Sequence, residues 1–279
     1  MALKTLLVCL TYRETAEAAM KAAVPLARAQ QAHLIGLHTL EAILVYPGIA
    51  IHLPGSSFSS FNHSQDAEAV EIETIFRKYT ENEDFPSEWR LLKAEFTTAS
   101  AHIIDCARAA DLVVMAKDEA NSAQWDQDTV QAQVIRQSGR PVIIVPPGYE
   151  GSTIGDNIVL GWSNTREATR AAHDVLTLCS NDSKVGIVRV DHGGGREMED
   201  YAIIDLAAAF DRHGISAVVS HLDGSGSDVP AVLLRHAFEQ GADLIATGAF
   251  GHSRFYDFVN GAVTQALLRD AEVPVLFSR

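Results

Sequence analysis

Basic side chains, cysteines, long apolar runs and the common catalytic motifs are all scarce or missing in this sequence of 279 residues. Lys and Arg number 22 against 36 Asp and Glu, a formal net charge of −14. That sign repels phosphate backbones and anionic lipid, so neither nucleic acid nor a membrane is the expected partner. A small anion stays within reach, because backbone N–H groups can hold one without any basic patch. Cysteine occurs only at Cys9, Cys106 and Cys179, with no CxxC pair. The odd number and wide spacing argue against a disulfide framework or a cysteine-rich zinc site, leaving three small buried thiols as the reading. No apolar run is long enough to span a bilayer. The longest, Ala42 to Gly55, is interrupted by Pro47, Gly48 and Pro54. The opening residues carry no secretory pattern, since their apolar run ends at Leu10 and a polar helix follows. A cytoplasmic location is the expectation.

Motif absences narrow the chemistry. Eleven histidines are present, yet none stands in HExxH spacing or a short Cys/His cluster, so no metal site is read. His33 and His38, five apart on one strand, face opposite sides. The run from His192 to Gly195 resembles the oxyanion segment of esterases, but no GxSxG elbow accompanies it. No carboxylate dyad or nucleophile–base arrangement is visible. Glu17 with Lys21, and Glu167 with Arg170, read as surface spacing on exposed helix faces. No catalytic residue is assigned, and a non-enzyme is expected.

What is present is an ordinary globular composition, 47% hydrophobic and 21% charged, arranged as a repeat. Strands are predicted at 5–10, 33–40, 88–96, 111–116 and 140–147, with helices at 14–30, 66–78, 100–110 and 127–138. The same order then restarts. Strands are predicted at 157–162, 184–190, 215–221, 242–248 and 273–278, with helices at 165–179, 198–214 and 229–241. Asp111 aligns with Asp243, an offset of 243 − 111 = 132, and Pro141 with Pro274, an offset of 274 − 141 = 133. Two landmarks agreeing within one residue indicate a duplication. The units are 1–147 and 156–279, joined by a Gly/Pro-rich linker at 146–156. Alternating strands and helices build a doubly wound parallel sheet in each, with ligands expected beyond the carboxyl ends of the strands. The apolar stretch 42–61 is not strand-like. A crossover packed on its own unit is the preferred reading, with a pocket cap or partner surface as the other.

Gly248 and Gly251 follow the fourth strand of the second unit, and Gly261 opens its last helix. A backbone without Cβ approaches a ligand closely, and free amides at a helix N-terminus favour an anion. The set suits a nucleotide, with ribose near the first pair and phosphates at Gly261. Arg254 would pair with a phosphate and His252 would stack or donate a hydrogen bond. The matching segment of the first unit, 117–134, has no glycine and carries Asp118, Glu119 and Asp126, so that unit reads as degenerate for anions.

Gly248-x2-Gly251-x9-Gly261 after an apolar strand resembles the nucleotide-binding segment of universal stress proteins, and the order of elements resembles a tandem member over almost the whole chain. The resemblance implies two Rossmann-like, adenine-nucleotide alpha-hydrolase-like units. It also implies a stress-response role and ATP or AMP in the second unit, with Mg left open and ATP hydrolysis at most slow. It places Ala262 where the family has Ser or Thr, with Val263 beside it and the Thr264 hydroxyl one turn on. Ser163, beside Asn164, stands where binding members carry Asp, and Val190 with Asp191 lines the crevice. The closing strands are implied to meet as an intrachain pseudo-dimer, with a further homodimer and an unknown protein partner left open. The alternative is a regulatory or interaction module of this fold without nucleotide. A bulky residue at Gly261 is expected to abolish nucleotide capture and leave melting intact.

Overall fold

A computed structural model describes residues 3–40, 55–94, 97–117, 126–191, 201–225, 228–251 and 261–279. The first half runs β1 (Thr5–Cys9), α1 (Arg13–Gln30), β2 (His33–Leu40), α2 (Gly55–Thr80), β3 (Ser87–Lys93), α3 (Ala99–Ala107), β4 (Leu112–Ala116), α4 (Asp126–Gln137) and β5 (Val142–Val145). The second half repeats it: β6 (Asn157–Gly161), α5 (Arg166–Val175), β7 (Lys184–Asp191), α6 (Tyr201–Arg212), β8 (Ser216–Asp223), α7 (Val229–Gln240), β9 (Leu244–Gly248), α8 (Ala262–Asp270) and β10 (Val275–Ser278).

All ten strands form one sheet, in the order β3-β2-β1-β4-β5-β10-β9-β6-β7-β8. Each half is a parallel five-stranded sheet. The halves meet where β5 and β10 pair antiparallel, Ile143 opposite Leu276. The strand order within each half reverses between β1 and β4, and between β6 and β9. Strands β1, β4, β5 and β9 are buried almost throughout, which explains their continuous apolar runs.

Helices cover both faces. One layer is built on α1, α2, α5 and α6, with Ala16, Phe76, Ala171 and Phe210 in its core. The other is built on α3, α4, α7 and α8, with Ile103, Ile135, Leu233 and Leu267. Alanine dominates the buried faces of α1 and α5, so both helices lie close against the strands.

The repeated aspartates do one job twice. Asp111 Oδ2 accepts from the Lys4 and Thr5 amides, at 2.8 and 3.0 Å. Asp243 accepts from the Gly155, Asp156 and Asn157 amides at 2.8–3.1 Å. Each pins the entry of its half's first strand with amides that would otherwise lack a partner at the sheet's end. The linker is packed rather than loose, since Ile154 joins the core and Ser183 donates to the Gly155 carbonyl at 2.6 Å.

The start of α2 differs most from the sequence reading. α2 starts at Gly55, well before 66, because no proline or glycine interrupts residues 56–80. The apolar stretch 42–61 therefore ends inside a helix, and its residues 42–54 lie outside the described residues.

Candidate functional site

Beyond the ends of β6 and β9 lie the turn into α5, residues 248–251 and the start of α8. At the end of β6 the chain leaves through Trp162, buried, and then Ser163 and Asn164, both exposed. Thr165 caps α5, its hydroxyl accepting from the Ala168 amide at 3.2 Å and sharing a hydrogen bond with the Ser163 hydroxyl. The Trp162 indole N–H is buried and has no hydrogen-bond partner among the described residues. On the flank, Val190 is half-buried against the second core layer. Asp191 follows, held by Arg189 at 2.8 Å and by His221 at 3.2 Å. Burial alone would raise its carboxyl, but the hydrogen bonds from His221 and Arg189 outweigh that and hold it below its usual range.

The three glycines are each met closely by protein. A Cβ on Gly248 would lie 2.5 Å from the Ala168 nitrogen and 2.6 Å from the Glu167 carbonyl carbon. The first turn of α5 therefore rests directly on the end of β9. A Cβ on Gly251 would lie 3.0 Å from Glu167 Oε2, and one on Gly261 would lie 2.5 Å from the Phe250 ring. Gly261 also has φ of +94°, which a side chain tolerates poorly. A bulky residue there would strain the backbone and collide with Phe250, so unchanged melting, expected from sequence, is corrected to a loss of stability.

Glu167 corrects a second expectation. It was read as an exposed surface acid, and its side chain is 8% accessible. Residue 167 lies in the first turn of α5, and its carboxylate stands 3.0 Å from where a Cβ on Gly251 would be. Arg166 donates to it at 2.7 Å. Burial would raise this carboxyl, but the Arg166 hydrogen bond, a backbone amide and the charges of Arg166 and Arg279 together hold it below the usual range.

Phe250 was not anticipated either. It is buried, with φ of +52°, a left-handed backbone unusual for an aromatic residue. Its amide donates to the Thr264 hydroxyl at 3.1 Å, and the Arg136 guanidinium of α4 lies 3.8 Å from its ring centroid. The Thr264 hydroxyl, considered for phosphate, is thus buried and engaged by the chain itself. Lys117 in turn donates to the Arg269 carbonyl at the end of α8. Each half therefore touches the other's last helix just beyond its own fourth strand.

α8 begins without a side-chain cap at Gly261, whereas α3, α5 and α7 are capped by Thr98, Thr165 and Asp228. Ala262 is exposed and Val263 half-buried in the first turn of α8. His252 and Arg254 lie outside the described residues. So do Asp118 and Glu119, while Asp126 begins α4. No group of three or more His, Cys, Asp or Glu suited to a metal occurs among the described residues, and no described helix is long and apolar enough to cross a membrane.

Residues 156–279 match the universal stress protein family. A curated universal stress protein of Synechocystis sp. is 24% identical over 179 residues, and the chain spans 58% of that relative's length with 61% of its own. A solved universal stress protein from Archaeoglobus fulgidus superposes with a TM-score of 0.74 at 14% identity, covering 99% of this chain and 96% of that one. A Pseudomonas aeruginosa protein described as functionally unknown superposes with a TM-score of 0.61 at 13% identity, covering 99% and 92%. At such identities the structural likeness speaks for the fold alone.

Proposed function

We propose, from the premise that residues 156–279 belong to the universal stress protein family, that this is a stress-response protein whose second half binds an adenine nucleotide. The observation that carries the reading is the start of α8 at Gly261, which has no side-chain cap and follows β9, one of the two strands between which the strand order reverses. In this reading the phosphate of AMP, or of ATP with or without Mg, rests on the turn at Gly261, Ala262 and Val263, with Arg254 pairing with a phosphate and His252 stacking or donating a hydrogen bond, as their residue types suit. Ser163 and Asn164 hydrogen-bond the base or ribose, Val190 lines the wall, and Gly248 and Gly251 let the first turn of α5, which carries the residues after Asn164, pack against the end of β9. The Glu167 carboxylate repels phosphate from the Gly251 side and so confines it to Gly261. The output is a change of conformation or partner, with ATP hydrolysis slow at most.

A second reading, a regulatory or interaction module without nucleotide, is favoured by the protein groups that meet all three glycines and by the engagement of Thr264 with Phe250. Titration calorimetry of the full chain separates the two. Heat of binding with AMP or ATP supports the first. Ala262→Asp, at an exposed position, places a negative charge at the phosphate and should abolish that heat while leaving thermal unfolding unchanged. Ala262→Ser restores a hydroxyl and should tighten binding about fivefold, the worth of one added hydrogen bond. No heat at millimolar nucleotide removes the nucleotide reading, and full binding by Ala262→Asp removes the placement of the phosphate at the Gly261 turn.

A further inference from the structure

The two ends of the sheet are built from equivalent strands but defended differently. β3 closes the end of the first half and β8 the end of the second, and no described strand pairs with the outer side of either. An open edge is a template for another strand unless charge or distortion blunts it. β3 carries Glu88, Arg90 and Lys93, with Glu88 and Arg90 paired at 2.6 Å. β8 reads SAVVSHLD, and the sole carboxylate or ammonium on it is Asp223 at its last position.

The surroundings of β8 are apolar. Val218 is 63% exposed at mid-strand. It lies beside Gly186 of β7, where an added Cβ would find only the Ile158 carbonyl at 3.8 Å. A bare shelf thus adjoins Val218. On the other face of β8, that of Ala217 and Val219, Tyr201 and Ile204 are large exposed side chains on α6, the helix that packs there.

We infer that the β8 edge is a self-association surface, taking β8 of a second copy antiparallel across a two-fold axis at Val219. Three observations select a second copy over another occupant. The strand is complementary to itself: a two-fold at Val219 sets Val218 against Ser220, Ala217 against His221 and Ser216 against Leu222, with no like charges opposed. The same operation on β3 would set Arg90 against Arg90, which is destabilising. The chain already joins two such sheets by antiparallel edge pairing at β5 and β10, so a second junction of that kind would continue the sheet into the partner. An isologous contact closes, giving a dimer rather than a filament, because β3 is protected. With −14 on each copy, long-range repulsion opposes association, so added salt should strengthen it.

This inference does not depend on nucleotide binding. Its test is sedimentation velocity of the full chain over a concentration series, at low and moderate salt. A reversible monomer–dimer equilibrium is expected, tightening with salt. Val218→Lys should weaken it by about tenfold or more, while Leu91→Lys on β3 leaves it unchanged. Both positions are exposed, and equal thermal unfolding of the two variants confirms that the fold is intact. Backbone amide exchange over 216–223 should slow as protein concentration rises, with 87–93 unaffected. A chain that stays monomeric throughout, a dimer indifferent to Val218→Lys, or equal loss from Leu91→Lys each overturns the proposal.

Discussion

Glu14 and Glu167 each lie in the first turn of the helix that follows their half's first strand, yet the Glu14 side chain is 68% accessible and that of Glu167 8%. The cause lies on another strand. β4 ends in Ala116 and β9 in Gly248, and only the glycine lets a helix start come to rest on the strand's end. At Gly248 the missing methyl group leaves room for the first turn of α5, in which Glu167 is buried and paired with Arg166. Duplicated units can thus keep their architecture and diverge in chemistry through one or two positions that decide how closely two elements approach.

The largest effect expected from breaking this contrast is at Gly248. Gly248→Ala sets a Cβ against immovable backbone and should destabilise by about 3 kcal/mol in denaturant unfolding. Ala116→Gly, the reverse change in the first half, should cost about 1 kcal/mol, mainly in backbone entropy. If Gly248→Ala costs no more than Ala116→Gly, the close approach is not what separates the halves.

The aspartate clamps come next. Asp243→Ala leaves three amides without their acceptor and should cost about 2 kcal/mol, while Asp111→Ala, serving two amides at a more exposed strand entry, should cost about 1 kcal/mol. Equal losses would show that the two clamps are equivalent despite their surroundings.

The smallest effect is on pH dependence. The Glu167 carboxyl is held below its usual range in the folded chain. Its ionised form therefore stabilises the fold above the ordinary glutamate range, and that contribution disappears as pH falls through the lowered folded value. The stability difference between the native chain and Glu167→Gln should be constant near neutrality and shrink in acid. A pH-independent difference at Glu167 would mean that packing, not charge, is what the residue contributes.

Much of the architecture was legible in the sequence because it is local. Alternation of short apolar runs with alanine-rich helical stretches marked the parallel units, and Asp111/Asp243 with Pro141/Pro274 marked the duplication. The glycines at 248, 251 and 261 were visible as positions, but what approaches them was not. Glu167 was read as a surface acid because its spacing to Arg170 suits an exposed helix face, and nothing within α5 reports on β9. Phe250 carried no signal, since a left-handed backbone at an aromatic residue follows from the Thr264 hydroxyl and the Arg136 guanidinium, partners remote along the chain.

The sequence by itself determined two like α/β units and their order of elements, because hydrophobic periodicity and glycine placement act over a few residues. Tertiary structure alone decided that Glu167 is buried, that Thr264 is engaged, that Arg136 of one half covers Phe250 of the other, and that β8 rather than β3 is the undefended edge. Those outcomes depend on distances between segments far apart in the chain, and a distance of that kind is set only when the whole sheet closes.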